Sequence, residues 1–199
     1  ALGTSSLVWT NNATVIGWYI SNASPLPINT GTTNANSCYN FGISGTNPLT
    51  DRALGALSTS TAHRFGLRMA NNSGSAITSF NINFTGEQWR SFTAGTLVFE
   101  YQTGATVTSL TAGTWTALTA LNFASLVTSA GAATDGNNAS FRTAKSATLT
   151  LTVATATEIF FRWTKAGTSS AGLAIDDLSI TANGTFLPTL TVSPTTLTG

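Results

Sequence analysis

Cysteine, histidine and methionine each occur once in this chain, and charged residues make up only 8% of its 199 positions. A single cysteine, Cys38, cannot close an internal disulfide, so stability has to come from packing, with or without the help of a bound ion. The sole histidine is His63, and nothing near it or Cys38 resembles an activated nucleophile pair. No GxSxG, HExxH, phosphate-binding glycine loop or Cys/His cluster is present. Acidic residues are so few that only Glu87, Glu100 and the Asp176–Asp177 pair are candidates for glycoside hydrolysis, and none has a partner placed by spacing. The chain therefore reads as non-enzymatic. Eight Lys+Arg against seven Asp+Glu leave a formal charge of +1, too little to steer nucleic acid, an acidic substrate or an anionic membrane. No apolar run approaches the roughly 20 residues of a membrane helix, and no basic, apolar signal region opens the chain. A secreted protein of this sequence would be a mature form or a cut fragment.

Solubility then rests on uncharged groups. Ser, Thr, Asn and Gly fill the spaces between apolar residues, a habit that suits an extracellular β protein, and the length fits one sizeable core. Strict alternation of apolar and small polar residues is the dominant pattern, and its period of two is that of a half-buried strand. In ATLTLTVAT, Leu149, Leu151 and Val153 share one face while Thr148, Thr150 and Thr152 share the other. VIGWYIS, HRFGLRMA, SFNINFTG, GTLVFEYQ, TEIFFRWT and GLAIDDLSI read the same way. NNSGS, TGA and TDGNNAS separate them as turns. No run has helical spacing. The prediction is all-β: an antiparallel β-sandwich of jelly-roll type over residues 1–183. Ser21 to Asp51 reads as surface loops or an irregular excursion at one end of the sandwich, and residues 184–199, rich in Pro and Thr, as a linker toward a further domain.

Strand parity sorts the charges. Phe65, Leu67 and Met69 face the core, leaving Arg64 and Arg68 outside; Glu100, Glu158 and Arg162 are outward by the same count, which favours cross-strand pairing. In GLAIDDLSI, Leu173 and Ile175 have one parity and Leu178 and Ile180 the other. A β-bulge at Asp176 and Asp177 would return both pairs to the core. Adjacent carboxylates repel, so either a calcium ion joins them, with Asp135, Asn137, Asn138 or loop carbonyls completing its shell, or one is exposed and the other meets an arginine. FTGEQWRSF concentrates charge unusually. Phe80, Ile82, Phe84 and Gly86 point inward, which places Glu87, Gln88, Trp89 and Arg90 at a strand end where the chain turns. There the tryptophan either offers its face to a pyranose, with Glu87 and Arg90 on the hydroxyls, or closes the core while those charges tie loops together.

WTNNATVIGWY, DRALGAL, FGLRMANNSGSAITSFNINFTGEQWR, GTWTALTALNF, TDGNNASFRTAKSATL, FFRWT and GLAIDDLSIT, in that order, resemble a module repeated in large secreted proteins of Bacteroidetes, cyanobacteria and related bacteria. The similarity covers residues 8 to 183. It implies an extracellular, non-catalytic jelly-roll module attached to hydrolases, nucleases or adhesins. The ending is also similar to the IDDxSL ending of carbohydrate-binding jelly rolls and MAM-like domains, whose acidic residues near the last strand hold a structural calcium; this points to Asp176 and Asp177. Members of the module carry Asp-His before the Gly of GLAIDD, where this chain has Ser170 and Ala171, which puts any ligand role of that pair in doubt. The resulting expectation is a cell-surface or extracellular accessory module that binds polysaccharide through Trp89, Glu87, Arg90, Trp18, Trp115 and Tyr39. The alternatives are a structural or adhesion domain of a surface or filamentous assembly, and a targeting module of a secreted nuclease or other hydrolase.

Overall fold

Twelve strands carry nearly all the regular structure of the computed structural model, which describes residues 6–21, 24–43, 51–129 and 131–184. They are β1 (Trp18–Ile20), β2 (Ile28–Asn29), β3 (Ser37–Phe41), β4 (Ala53–Ser58), β5 (His63–Ala70), β6 (Ile77–Arg90), β7 (Thr96–Gly104), β8 (Thr116–Ala117), β9 (Phe123–Ala124), β10 (Arg142–Val153), β11 (Glu158–Lys165) and β12 (Ser169–Gly184). Residues 185–199, read above as a linker, lie outside the described residues.

One sheet runs β10-β6-β12-β4-β3-β2, and the other β1-β5-β11-β7-β8 with β9 also on β7. The central strands, β4-β12-β6-β10 against β5-β11-β7-β8, have the neighbour order of a jelly roll, so the predicted fold class is the observed one. Pairing is antiparallel except at the sheet edge, where β2 lies parallel to β3. The alternation read from the sequence explains the core directly. Phe80, Ile82 and Phe84 of β6 face Phe65, Phe99, Phe161 and Trp163 of the other sheet, with Leu149, Val153, Leu173 and Ile175 completing the layer. Phe84 and Phe80 meet Trp163 and Phe161 edge-on, at 5.6 and 5.5 Å between ring centres. Such geometry adds about 0.5–1.5 kcal/mol per pair beyond the area buried.

The structure differs from the sequence reading at β3 and β4. The stretch from Ser21 to Asp51, read as loops, contains β2 and β3, whose Cys38, Tyr39 and Phe41 are buried. β4 shows no alternation because all six of its residues are buried: Leu54 and Ala56 join the inter-sheet core, Ala53 and Leu57 a second cluster on the sheet's outer side. A strand covered on both faces has no period of two to detect.

FTGEQWRSF is also placed differently. β6 does not turn at Glu87 but continues to Arg90, paired with β12 throughout (Glu87 with Ala174, Gln88 with Leu173, Arg90 with Gly172). The register shift at Gly172/Leu173 makes Trp89 the extra residue of a bulge. Gly86 lies inward under the ring of Phe123, where a Cβ would collide with the aromatic carbons.

Candidate functional site

Most of the aromatic and charged residues singled out by the sequence are used in packing. Glu87 and Trp89 share the outer face of the β6 sheet. That face is covered there: Trp89 is 1% exposed, stacks on Phe41 at 6.1 Å and clusters with Tyr39 and Leu57. Gly31 and Gly136 press their backbones against it so closely that a Cβ at either would overlap it. Its indole N–H donates to Glu87 Oε2 at 2.9 Å. Burial pushes the Glu87 carboxyl up to about 8, against the smaller opposing effect of that hydrogen bond. Arg90 donates from Nη1 to the carbonyls of Gly31 and Thr32 and from Nη2 to that of Gly131, joining two loops. Tyr39 is 2% exposed, its hydroxyl donating to Ala35 O, and burial raises its pKa. None of these rings has a face open to a sugar.

Trp115 lies on the outer side of the other sheet. The β7–β8 loop folds over β11 so that Trp115 meets Phe160 edge-on and the Arg162 guanidinium sits 3.8 Å from its ring centre. Arg162 donates Nε–H to Glu100 at 2.8 Å and Nη1–H to Leu110 O, while Thr164 donates to the same Glu100 oxygen. These groups hold Glu100 below its ordinary pKa although burial pushes the other way. Glu100 and Arg162 are direct cross-strand partners, as parity predicted.

Trp18, Asp176 and Asp177 are different: they come together. β4 begins at Ala53, so β12 loses that neighbour after Ile175, and a cleft of about 240 Å³ opens where it does. Trp9, Val15, Trp18, Arg52 and Leu54 line it together with residues 175–178. Trp18 stacks on Trp163 at 6.3 Å and is half-buried at the cleft wall. Trp9 is held by its indole N–H on Asn11 and its backbone N–H on Ser24 Oγ. Val15 lines the cleft, and two neighbours of lining residues in the chain, Val8 before Trp9 and Ile16 after Val15, are 76% and 78% exposed.

The bulge expected at the aspartates is present. Register shifts between Asp176 and Ser179, and Asp177 takes φ +52°, a left-handed conformation in which the carboxylate is turned outward. Asp176 Oδ1 accepts the Asp177 N–H, and Thr85 donates to Asp177 Oδ2. Burial pushes the Asp176 carboxyl up to about 6, and the charges of Asp177 and Asp51, the latter within hydrogen-bonding reach, act in the same direction. Across the cleft, Arg52 is 8% exposed, and its Nε and Nη2 have no hydrogen-bond partner among the described residues. The ion pairs among those residues are Arg68–Glu158 and Arg162–Glu100, so neither Arg52 nor the two aspartates are neutralised in that way. Nothing in the sequence marks Trp9 or Arg52 as site residues, although Arg52 is one of only eight cationic side chains.

Asp135 does not join this cluster. Its Oδ1 accepts the Asn137 N–H within the loop, next to Gly136 over Trp89. No three His, Cys, Asp or Glu side chains converge on one point among the described residues. The acidic groups near the bulge are Asp176, Asp177 and Asp51, and a calcium ion there would need further oxygens from loop carbonyls or water to reach its usual six to eight.

No protein-family model and no curated protein matches the sequence. Similar solved structures include the enzymatically active domain of tailspike protein 4 from bacteriophage CBA120 (10% identity, TM-score 0.43, 84% of this chain on 19% of that one). A family 61 carbohydrate-binding module in complex with beta-1,4-galactotriose is another (10% identity, TM-score 0.39, 83% of this chain and 88% of that one). A third is a family 16 carbohydrate-binding module (10% identity, TM-score 0.35, 73% and 84%). This chain thus spans about a fifth of that tailspike domain, and the likenesses are distant in every case.

Proposed function

We propose that this protein is an extracellular, non-catalytic module that binds polysaccharide in the cleft between Trp18 and the Asp176–Asp177 bulge. The observation that carries this reading is Arg52. A guanidinium with two N–H positions unpartnered and 92% of its surface withdrawn from water is costly unless something else accepts from it. A sugar supplies what the cleft lacks. Its hydroxyl oxygens accept from Arg52, its hydroxyl protons donate to the aspartates, and its C–H face suits Trp18 and the apolar lip. Two features support a binding rather than a catalytic role. Asp51 and Asp176 are close enough to share a proton, whereas glycoside hydrolysis needs two carboxyls roughly 5–9.5 Å apart, flanking the bond. His63, the one ordinary general base, begins β5 four residues from Leu67, the partner of Trp18; it is buried opposite Lys165 and does not line the cleft.

The test is a glycan array probed with the wild-type protein, Arg52→Met and Trp18→Leu. Wild-type protein is expected to bind a defined set of oligosaccharides. Arg52→Met should lose that binding at least tenfold while its denaturant midpoint stays at or above wild type, because the substitution removes a buried unpaired charge. An array with no hits, or hits that both variants retain, overturns the proposal.

A further inference from the structure

We infer that the cleft discriminates sugars by charge, admitting neutral and amino sugars and excluding uronates and sulfated sugars. The inference rests on the cleft being a glycan site and adds the chemical class of the glycan. An arginine in a sugar site ordinarily suggests an acidic ligand, since its fork matches a carboxylate. Here the surrounding charges reverse that expectation. Asp176 and Asp177 line the same cleft, and Asp51 adjoins Asp176, so one guanidinium stands among three carboxyl groups. An anion approaching Arg52 also meets the exposed Asp177 and the Asp51–Asp176 pair, which keeps at least one negative charge even when it shares a proton, so at least two negative charges face one positive charge. The net field on an incoming anion is repulsive.

A neutral pyranose avoids that conflict. Its hydroxyl oxygens can accept from the Arg52 guanidinium, whose Nε and Nη2 come within reach when the side chain turns out into the cleft it lines, and its outward hydroxyls donate to Asp177. An amino sugar does more, because its ammonium pairs with Asp177 and relieves the repulsion between adjacent carboxylates that the bulge creates. Arg52 is in this account a hydroxyl donor at depth, and Asp177 the charge filter at the entrance.

The experiment uses one array holding neutral, N-acetylated, free-amino, uronate-containing and sulfated oligosaccharides, probed with the wild-type protein and with Asp177→Asn. Asparagine tolerates the left-handed backbone at this position, so the variant keeps the bulge. Expected wild-type hits are confined to the neutral, N-acetylated and amino classes. Asp177→Asn should weaken amino-sugar hits about tenfold more than neutral ones, whose hydroxyls keep an amide oxygen as acceptor, and raise signals for acidic glycans. Wild-type hits on uronate or sulfated glycans stronger than on their neutral counterparts overturn the charge filter while leaving the cleft as a glycan site. Unchanged ranking in Asp177→Asn also overturns it. An empty array removes both the glycan site and the filter.

Discussion

Trp89 shows how far a single residue's role depends on what folds over it. By parity it points away from the inter-sheet core, the position expected of a binding platform, yet loops carrying Gly31 and Gly136 bury it to 1% exposure. Glu87 goes with it: the carboxyl is inside because it accepts the Trp89 indole N–H. Trp89→Ala is therefore expected to cost about 3–5 kcal/mol in urea unfolding, the range for truncating a buried aromatic, while the folded protein keeps its glycan hits. A loss of binding at unchanged stability would return Trp89 to the ligand site. Arg52 has the converse history. Nothing in DRALGAL marks its arginine as different from the seven other cationic residues, because burial without a partner is a property of surroundings the local sequence does not contain.

At the scale of an element, β12 is the strand whose pattern carried most information. Two apolar pairs of opposite parity on either side of Asp176–Asp177 required an inserted residue, and the register shift lies there. The bulge sets Asp177 at φ +52°, a region where a β-branched side chain is strained and glycine is not. Asp177→Gly is expected to leave stability within about 1 kcal/mol of wild type and Asp177→Val to lower it by about 1–2 kcal/mol, measured by chemical denaturation. Equal effects of the two would mean that the backbone there is not held left-handed. β4 is the opposite case: its apolar residues are plain in ALGAL, but with both faces covered they carry no period, so neither its strand nor the β3 beside it could be read from alternation.

For the whole molecule, the two sheets and their jelly-roll order leave a small set of titrating groups inside. Glu87 and Asp176 both have folded pKa values above their ordinary ones, about 8 and about 6. An acid whose pKa is raised on folding binds protons in the native state that the unfolded chain has released, so its contribution is complete below the unfolded pKa and is lost as pH rises through the folded value. Stability is expected to fall between about pH 5 and pH 8, and Glu87→Gln, which keeps an acceptor for Trp89, should flatten that fall when melting temperature is followed against pH. A profile unchanged by Glu87→Gln would place the titration elsewhere. Asp51, Asp176 and Asp177 bring three carboxyl groups together, so a calcium ion bridging them is expected to raise the melting temperature in millimolar calcium above that in chelator; coincident curves would remove the metal from Asp176 and Asp177. The all-β class, the inward face of each half-buried strand, the outward charges of β5, β7 and β11, and the bulge are legible along the chain, because each follows from a period of two along one strand. Folding in three dimensions sets the rest: Trp89 and Tyr39 are covered, Trp115 rests on Arg162, and Trp9, Trp18, Arg52 and the aspartates share a cleft. Those outcomes depend on which loops cross a sheet face and on where β4 stops beside β12. They are contacts between segments far apart in the chain, and no local periodicity encodes them.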